Sequence, residues 1–348
     1  MTSPDPSARS APVTARRLRP GGTIGVVAPS WGGPAAHPHR VERGVRFLES
    51  LGYRVVLGRH VLGQRGYVSG TPEERAGDLH DFFADADVQA VVAAIGGDHS
   101  CHLLPLLDWE LIRRNPTILV GFSDVTVLNL AIHAMTGLVT FNGPALMTDF
   151  GAYPEPPAYT LDSFLGTVTR PEPAGLLAPS PTWTEEFLDW REKLDLSRPR
   201  ALRPSPGWTW LRPGRGVGPL VGGCLESMQH LRGTPYWPDF DGAIWFFETS
   251  EIVPPPAYVD AVLQDYENMG VLGRISGLLV GRPYRYTDEQ KSELHAVLLE
   301  RARRYAFPIV ADLDFGHTAP QLTLPIGCRA EVDATARRLA ILEAAVST

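Results

Sequence analysis

Ser123 sits where a serine could act as a nucleophile. The run Ile118-Leu119-Val120 before it is apolar enough for a buried parallel strand. From Asp124 onward the period changes, and Val127, Leu128, Ala131 and Ile132 fall on one helical face. Gly121-Phe122-Ser123-Asp124 then reads as a tight strand-to-helix turn with the hydroxyl at its apex. Such a turn exposes the hydroxyl at the carboxyl edge of a sheet and aims the N–H groups of the helix start at it, the mechanics of a nucleophile elbow. Val125 stands where G-x-S-x-G has its second glycine, so the motif is half matched. The same serine could instead cap the helix by accepting from an orphan N–H. These residues alone leave both readings open.

A serine hydroxyl needs an adjacent base, and the base an orienting acid. His37 and His39 lie in a proline-rich loop, and His60, His80, His133, His230 and His295 lie in helices or polar flanks. These seven read most simply as surface or packing residues. His317 follows Phe315-Gly316 in a loop bounded by Pro320, where a turn can present the ring, although a loop histidine can also be structural. Glu248 closes the apolar run Ile244-Trp245-Phe246-Phe247, either exposed at the strand end or half-buried and paired. Asp98, His99 and His102 hint at a metal, but the set is incomplete and no metal site is expected. Cys101, with Leu103 and Leu104 after it, reads as a small core residue.

These residues must be positioned by the elements around them. Apolar strands over Thr23–Ala28, Tyr53–Leu57, Val88–Ile95, Ile118–Val120 and Leu138–Phe141 alternate with helical patterns, among them a helix started by Thr71-Pro72-Glu73-Glu74. Strict alternation implies a doubly wound parallel sheet with right-handed crossovers. Ligands bind beyond the carboxyl ends of such strands. Three unusual turns follow strand ends there: Ser30-Trp31-Gly32-Gly33, Gly96-Gly97-Asp98-His99-Ser100 and the Ser123 turn. No G-x-G-x-x-G follows the first strand and no G-x-x-x-x-G-K-[ST] occurs, so neither a Rossmann cofactor site nor a P-loop is expected.

The fold class read from this is α/β, an N-terminal doubly wound parallel sheet (flavodoxin- or amidotransferase-like) plus a smaller C-terminal mixed α/β domain. Residues 1–17 read as a disordered arm, 18–165 as the domain carrying Ser123, 166–217 as a linker loop and 218–348 as the second domain. The linker is rich in proline, poor in periodicity and holds Trp183, Trp190, Trp208 and Trp210, half of the eight tryptophans. Its indoles could pin the loop to the body or stack on a planar ligand.

Composition sets outer limits. The 348 residues, 44% hydrophobic and 20% charged, suit a globular protein with a sizeable core. A net charge of −7 without a long basic run disfavours nucleic-acid polymers and anionic membranes as partners. No run of 18 apolar residues occurs. Cys101, Cys224 and Cys328, scattered and without a C-x-x-C pair, read as reduced thiols of a cytoplasmic protein.

At Gly96-Gly97, Gly121-Phe122-Ser123-Asp124, Asn142-Gly143-Pro144, Gly222-Gly223, Phe247-Glu248 and Gly316-His317 the chain resembles the LD-carboxypeptidase family of serine peptidases. The motifs stand in family order from about Thr23 to about Leu342. The resemblance implies a Ser-Glu-His triad of Ser123, Glu248 and His317, and an oxyanion site at the N–H groups of Gly97 and Asp124. It implies no cofactor, and a homodimer. Trp183-Thr184-Glu185-Glu186, Trp190, Gly207-Trp208-Thr209-Trp210, Gly222-Gly223-Cys224-Leu225-Glu226 and Phe247-Glu248-Thr249-Ser250-Glu251 are similar to the microcin C self-immunity (MccF-like) branch. That branch implies cleavage of an aminoacyl- or peptidyl-nucleotide amide, with a loop aromatic stacked on the base. The alternative within the family is a murein carboxypeptidase cleaving L,D-peptide bonds. An alternative of another class is a binding module that keeps the cleft without the chemistry.

Overall fold

The computed structural model describes residues 12–348. Its strands, in chain order, are β1 (Thr23–Val27), β2 (Arg54–Leu57), β3 (Val88–Ala93), β4 (Ile118–Gly121), β5 (Thr140–Asn142), β6 (Gly175–Leu177), β7 (Thr182–Trp183) and β8 (Arg203–Pro204). There follow β9 (Thr209–Arg212), β10 (Arg215–Cys224), β11 (Ile244–Glu248), β12 (Gly277–Gly281), β13 (Ile309–Leu313), β14 (Leu324–Ile326), β15 (Arg329–Asp333) and β16 (Arg338–Ile341).

The first sheet has the order β14-β5-β4-β3-β1-β2. Strands β1 to β5 pair in parallel, and β14 joins the β5 edge antiparallel. Their near-continuous apolar composition reflects burial on both faces: every residue of β1 and β4 is buried. The 2-1-3-4-5 order is the flavodoxin-like one, and its switch point lies between β1 and β3. Connecting helices follow the expected signals. Thr71 and Glu74 form a reciprocal capping box at the helix Pro72–Ala84, and Thr287 and Gln290 do the same for Asp288–Ala302.

The second sheet is mixed, in the order β6-β16-β15-β10-β11-β12-β13-β9. Its centre, β10 to β13, is parallel, and antiparallel strands flank it. The two sheets meet where β10 ends against the helix Val125–Thr136 behind Ser123. The Cys224 N–H donates to Thr126 Oγ1 (2.9 Å), and a Cβ on Gly223 would fall 2.4 Å from the Thr126 side chain. Only a glycine lets β10 come this close.

Three features depart from the sequence reading. The disordered arm over 1–17 lies partly outside the described residues, but its last part is packed: Val13 bridges to Leu138, Arg16 bridges to Ser347, and Ala15 is buried. Residues 166–217 are less loop-like than their composition suggests. They supply β6 and β9 to the second sheet and pair β7 with β8, and the helix Ala158–Val168 reaches into their start. Strands of two to four residues carry too little alternation to be read without their partners. Finally, β14 returns from the second half of the chain to close the first sheet, so the halves interlock.

Candidate active site

The Ser123 turn is the expected elbow. Ser123 has φ +59°, a left-handed conformation that a serine adopts only when its surroundings impose it. The helix begins at Val125 with Asp124 as its N-cap and no side-chain cap bond, so the capping reading of Ser123 gives way. The Asp124 carboxylate is fully buried and accepts from the N–H groups of His99 (2.9 Å) and Ser100 (2.8 Å). His99 N–H is shared with Ser30 Oγ (2.8 Å), and Trp31 N–H donates to Gly96 O (3.1 Å). The three turns at the carboxyl ends of β1, β3 and β4 are thereby tied to one another. Among the described residues, no backbone carbonyl engages the Gly97 or Asp124 N–H.

The second sheet delivers the partners. His317 Nδ1 lies 2.7 Å from Glu248 Oε2, and Nε2 lies 3.1 Å from Ser123 Oγ. Glu248 ends β11 fully buried. Gly316, at φ +103°, lets the loop pass directly over that carboxylate, since a Cβ there would come within 2.6 Å of Glu248 Oε2. The Phe-Gly-His spelling thus has a steric cause. Phe122 turns an edge to the imidazole at 5.1 Å between centroids. A second carboxylate also reaches the ring: Glu251 Oε2 lies 2.7 Å from His317 Nε2. Burial disfavours the imidazolium, but Glu248 and then Glu251 outweigh it and raise the His317 pKa well above the ordinary value.

These residues open on a cleft of about 690 Å³, within the size range of small-molecule sites. Its wall includes the Gly96–His99 turn, Ser123, Glu251 and His317, together with His37, Arg40 and Trp190. Of the four linker tryptophans, Trp190 alone lines the cleft. It packs under the Arg40 guanidinium (4.6 Å) and edge-on to His37 (5.6 Å). Its loop is clamped down by Asp195, which pairs with Arg40 (2.9 Å) and Arg43 (2.5 Å). Trp183 lies instead among Arg203, Arg282 and Lys291, and Trp208 donates to buried Asp314 (2.8 Å). Trp210 packs against the core from β9.

Sequence reasoning missed the side chains of Asp124, Glu251, His37 and Arg40. Glu251, three residues beyond Glu248 on the same edge, carried a usable signal. Arg40 carried none, because a buried arginine in a helix looks like any surface one. Among the described residues no group of three His, Cys, Asp or Glu side chains is arranged to hold a metal. His99 instead stacks near Tyr67 (4.5 Å) with its edge toward His102.

A serine on a strained elbow, hydrogen-bonded to a histidine that a buried carboxylate orients, is the arrangement of a serine-type hydrolase. Comparison with known proteins supplies the family. Residues 24–143 match the LD-carboxypeptidase N-terminal domain and residues 217–332 the LD-carboxypeptidase C-terminal domain. The chain belongs to the LD-carboxypeptidase family and is a serine-type peptidase. It is 32% identical to the microcin C7 self-immunity protein MccF of Escherichia coli over 343 residues, 98% of each chain. It is 34% identical to a probable murein peptide carboxypeptidase of Bacillus subtilis over 336 residues, 95% of each. The solved structure of MccF in complex with aspartyl sulfamoyl adenosine superposes with a TM-score of 0.89 at 32% identity, covering 97% of this chain and 100% of that one.

Proposed function

We propose that this enzyme hydrolyses the amide that joins an acyl residue to a nucleotide-like leaving group, a detoxifying or self-immunity activity. The observation that carries the reading is the hydrogen-bonded line Glu248–His317–Ser123, at 2.7 and 3.1 Å, opening on a cleft that the Trp190 indole also lines. Ser123 Oγ attacks the carbonyl while His317 Nε2 takes its proton and then returns it to the leaving nitrogen. Glu248 holds the tautomer and stabilises the imidazolium. The N–H groups of Gly97 and Asp124 meet the developing oxyanion, and losing one such donor typically costs about 10²–10³ in rate. Trp190 stacks on the base of the leaving group. The aspartyl sulfamoyl adenosine bound by MccF supports this substrate class. The resemblance to this family also supports a cytoplasmic, cofactor-free homodimer. Three free thiols fit that compartment.

A murein L,D-peptide is the second reading, favoured by the likeness to the Bacillus subtilis peptide carboxypeptidase. Parallel incubations with an aspartyl-adenylate amide and with a murein tetrapeptide, followed by mass spectrometry, decide between them. Release of the nucleotide with an intact tetrapeptide is expected. The opposite pattern would sink the nucleotide reading.

A further inference from the structure

Glu251 is the carboxylate that the triad does not use. It lies in the segment after β11 that leads to the helix Pro256–Asn268, and its side chain is 62% exposed toward the cleft. Its Oε2 is nearer His317 Nε2 (2.7 Å) than Ser123 Oγ is (3.1 Å). Nδ1 is hydrogen-bonded to Glu248 and Nε2 to Ser123, and the Glu251 carboxylate adds an ion-pair contact to Nε2 that favours a ring protonated on both nitrogens. A cationic ring has no lone pair with which to take the serine proton. Glu251 must therefore leave Nε2 before the base can work. Its charge then stands on the cleft wall with Ser123 and His317, where a cation on the substrate can pair with it.

We propose that Glu251 is a specificity-determining residue that receives an ammonium group on the acyl residue of the substrate, and that binding this group releases His317 to act as base. The proposal rests on the serine-hydrolase reading and deepens it. Two ammonium sources are chemically equivalent at this point, the free α-amino group and a basic side chain. Other groups facing the imidazole are Glu248 from β11, the Ser123 hydroxyl and the Phe122 ring edge. Against partial desolvation of a side chain that still reaches solvent, the contact with the charged His317 ring holds the Glu251 carboxyl down to about 2. The His317 pKa is raised, so its neutral form is present only above that raised pKa and is lost as pH falls through it. Removing Glu251 removes part of the rise, and the neutral form then persists to lower pH.

Binding to S123A, and to S123A combined with Glu251→Gln, is measured by calorimetry with three probes: aspartyl, N-acetyl-aspartyl and lysyl sulfamoyl adenosine. An α-ammonium source predicts that acetylation weakens binding about 10- to 100-fold, the range for one charge-assisted hydrogen bond. A side-chain source predicts a lysyl preference of that size. Either difference should collapse in the Glu251→Gln background. Independently of any turnover, the His317 imidazole followed by NMR should titrate at lower pH in E251Q than in the unsubstituted enzyme. Equal affinities across the probes in both backgrounds overturn the ammonium assignment, and an unchanged imidazole titration overturns the release step. An inactive enzyme with an intact NMR shift would count against the substrate reading alone.

Discussion

Ser123 illustrates how a local cost is held in place by its neighbours. A non-glycine residue at positive φ costs on the order of 1–3 kcal/mol and persists only when its surroundings over-determine it. Here the Asp124 carboxylate is locked by two N–H groups and Val125 is fully buried, so the turn cannot relax. The Asp124 side chain thus fixes the turn, beside the oxyanion role proposed for its N–H. If the triad works as a unit, Ser123→Ala should lower kcat by about 10⁴–10⁶, His317→Ala should be comparably severe, and the double variant hardly worse. Losses that multiply would show that the two residues act independently. A related expectation concerns metal: hydrolysis should survive exhaustive treatment with EDTA. Activity lost to the chelator and restored by zinc would replace the serine mechanism with metal-assisted hydrolysis.

Among elements, the 166–217 segment divides its tryptophans between two jobs. Trp190 borders the cleft but is only 9% exposed, packed under Arg40 and against His37. On the proposed reading its remaining surface stacks on the base, an interaction worth roughly 1–3 kcal/mol in nucleic-acid systems, about 10- to 100-fold in binding. Trp190→Ala should raise KM for adenylate amides by at least that factor while lowering Tm, since a buried indole is lost, and Trp190→Phe, which keeps a ring, should recover most of the Tm. Trp208 is different, because its indole N–H satisfies Asp314, which also accepts from Arg282 (2.9 Å) and precedes the Phe315-Gly316-His317 turn. Trp208→Phe removes one of the two donors to Asp314 Oδ2, leaving the Ser180 N–H, a loss of about 1–3 kcal/mol for a bond to a charged group, so it should lower Tm and reduce turnover equally on every substrate. Kinetics and melting of both variants check this, and a substrate-selective loss for Trp208→Phe would contradict the division. Composition alone could not make it. Indole counting showed a cluster, whereas the jobs depend on strands too short to have a period. By contrast, β1 to β5 and the Ser123 turn were legible, because buried parallel strands write long apolar runs and the change to helical spacing marks the elbow. Glu248 and His317 were visible as residues, but their meeting 69 positions apart came only through the family resemblance.

At the scale of the whole molecule, the active site exists only where two sheets touch. The first sheet carries Ser123, the proposed nucleophile, and the second carries His317 and Glu248, its proposed base and acid, so the Ser123–His317 distance depends on how β10 docks on the helix Val125–Thr136. That docking rests on a contact with no slack: Gly223 faces Thr126 with no room for a methyl group, and the next residue's N–H bonds the same threonine. The interlock by β14 and by Val13 and Arg16 means the sheets cannot simply separate to make room. A methyl group at position 223 must therefore be absorbed as a displacement of β10 against the nucleophile helix. A shift of about 1 Å in reacting groups can cost about 10²-fold in rate. Gly223→Ala is expected to lower kcat by about that factor, to slow labelling of Ser123 by a fluorophosphonate probe, and to leave KM less affected, because Trp190 and its loop belong to neither β10 nor the helix Val125–Thr136. Thr126→Ala in the same background removes the two nearest atoms, at 2.4 Å, and leaves Cβ at 2.9 Å, so it should recover part of the rate, although Thr126→Ala alone removes the acceptor for Cys224. Wild-type kcat in Gly223→Ala, or a double variant worse than either single one, would show that the docking does not set the catalytic distance.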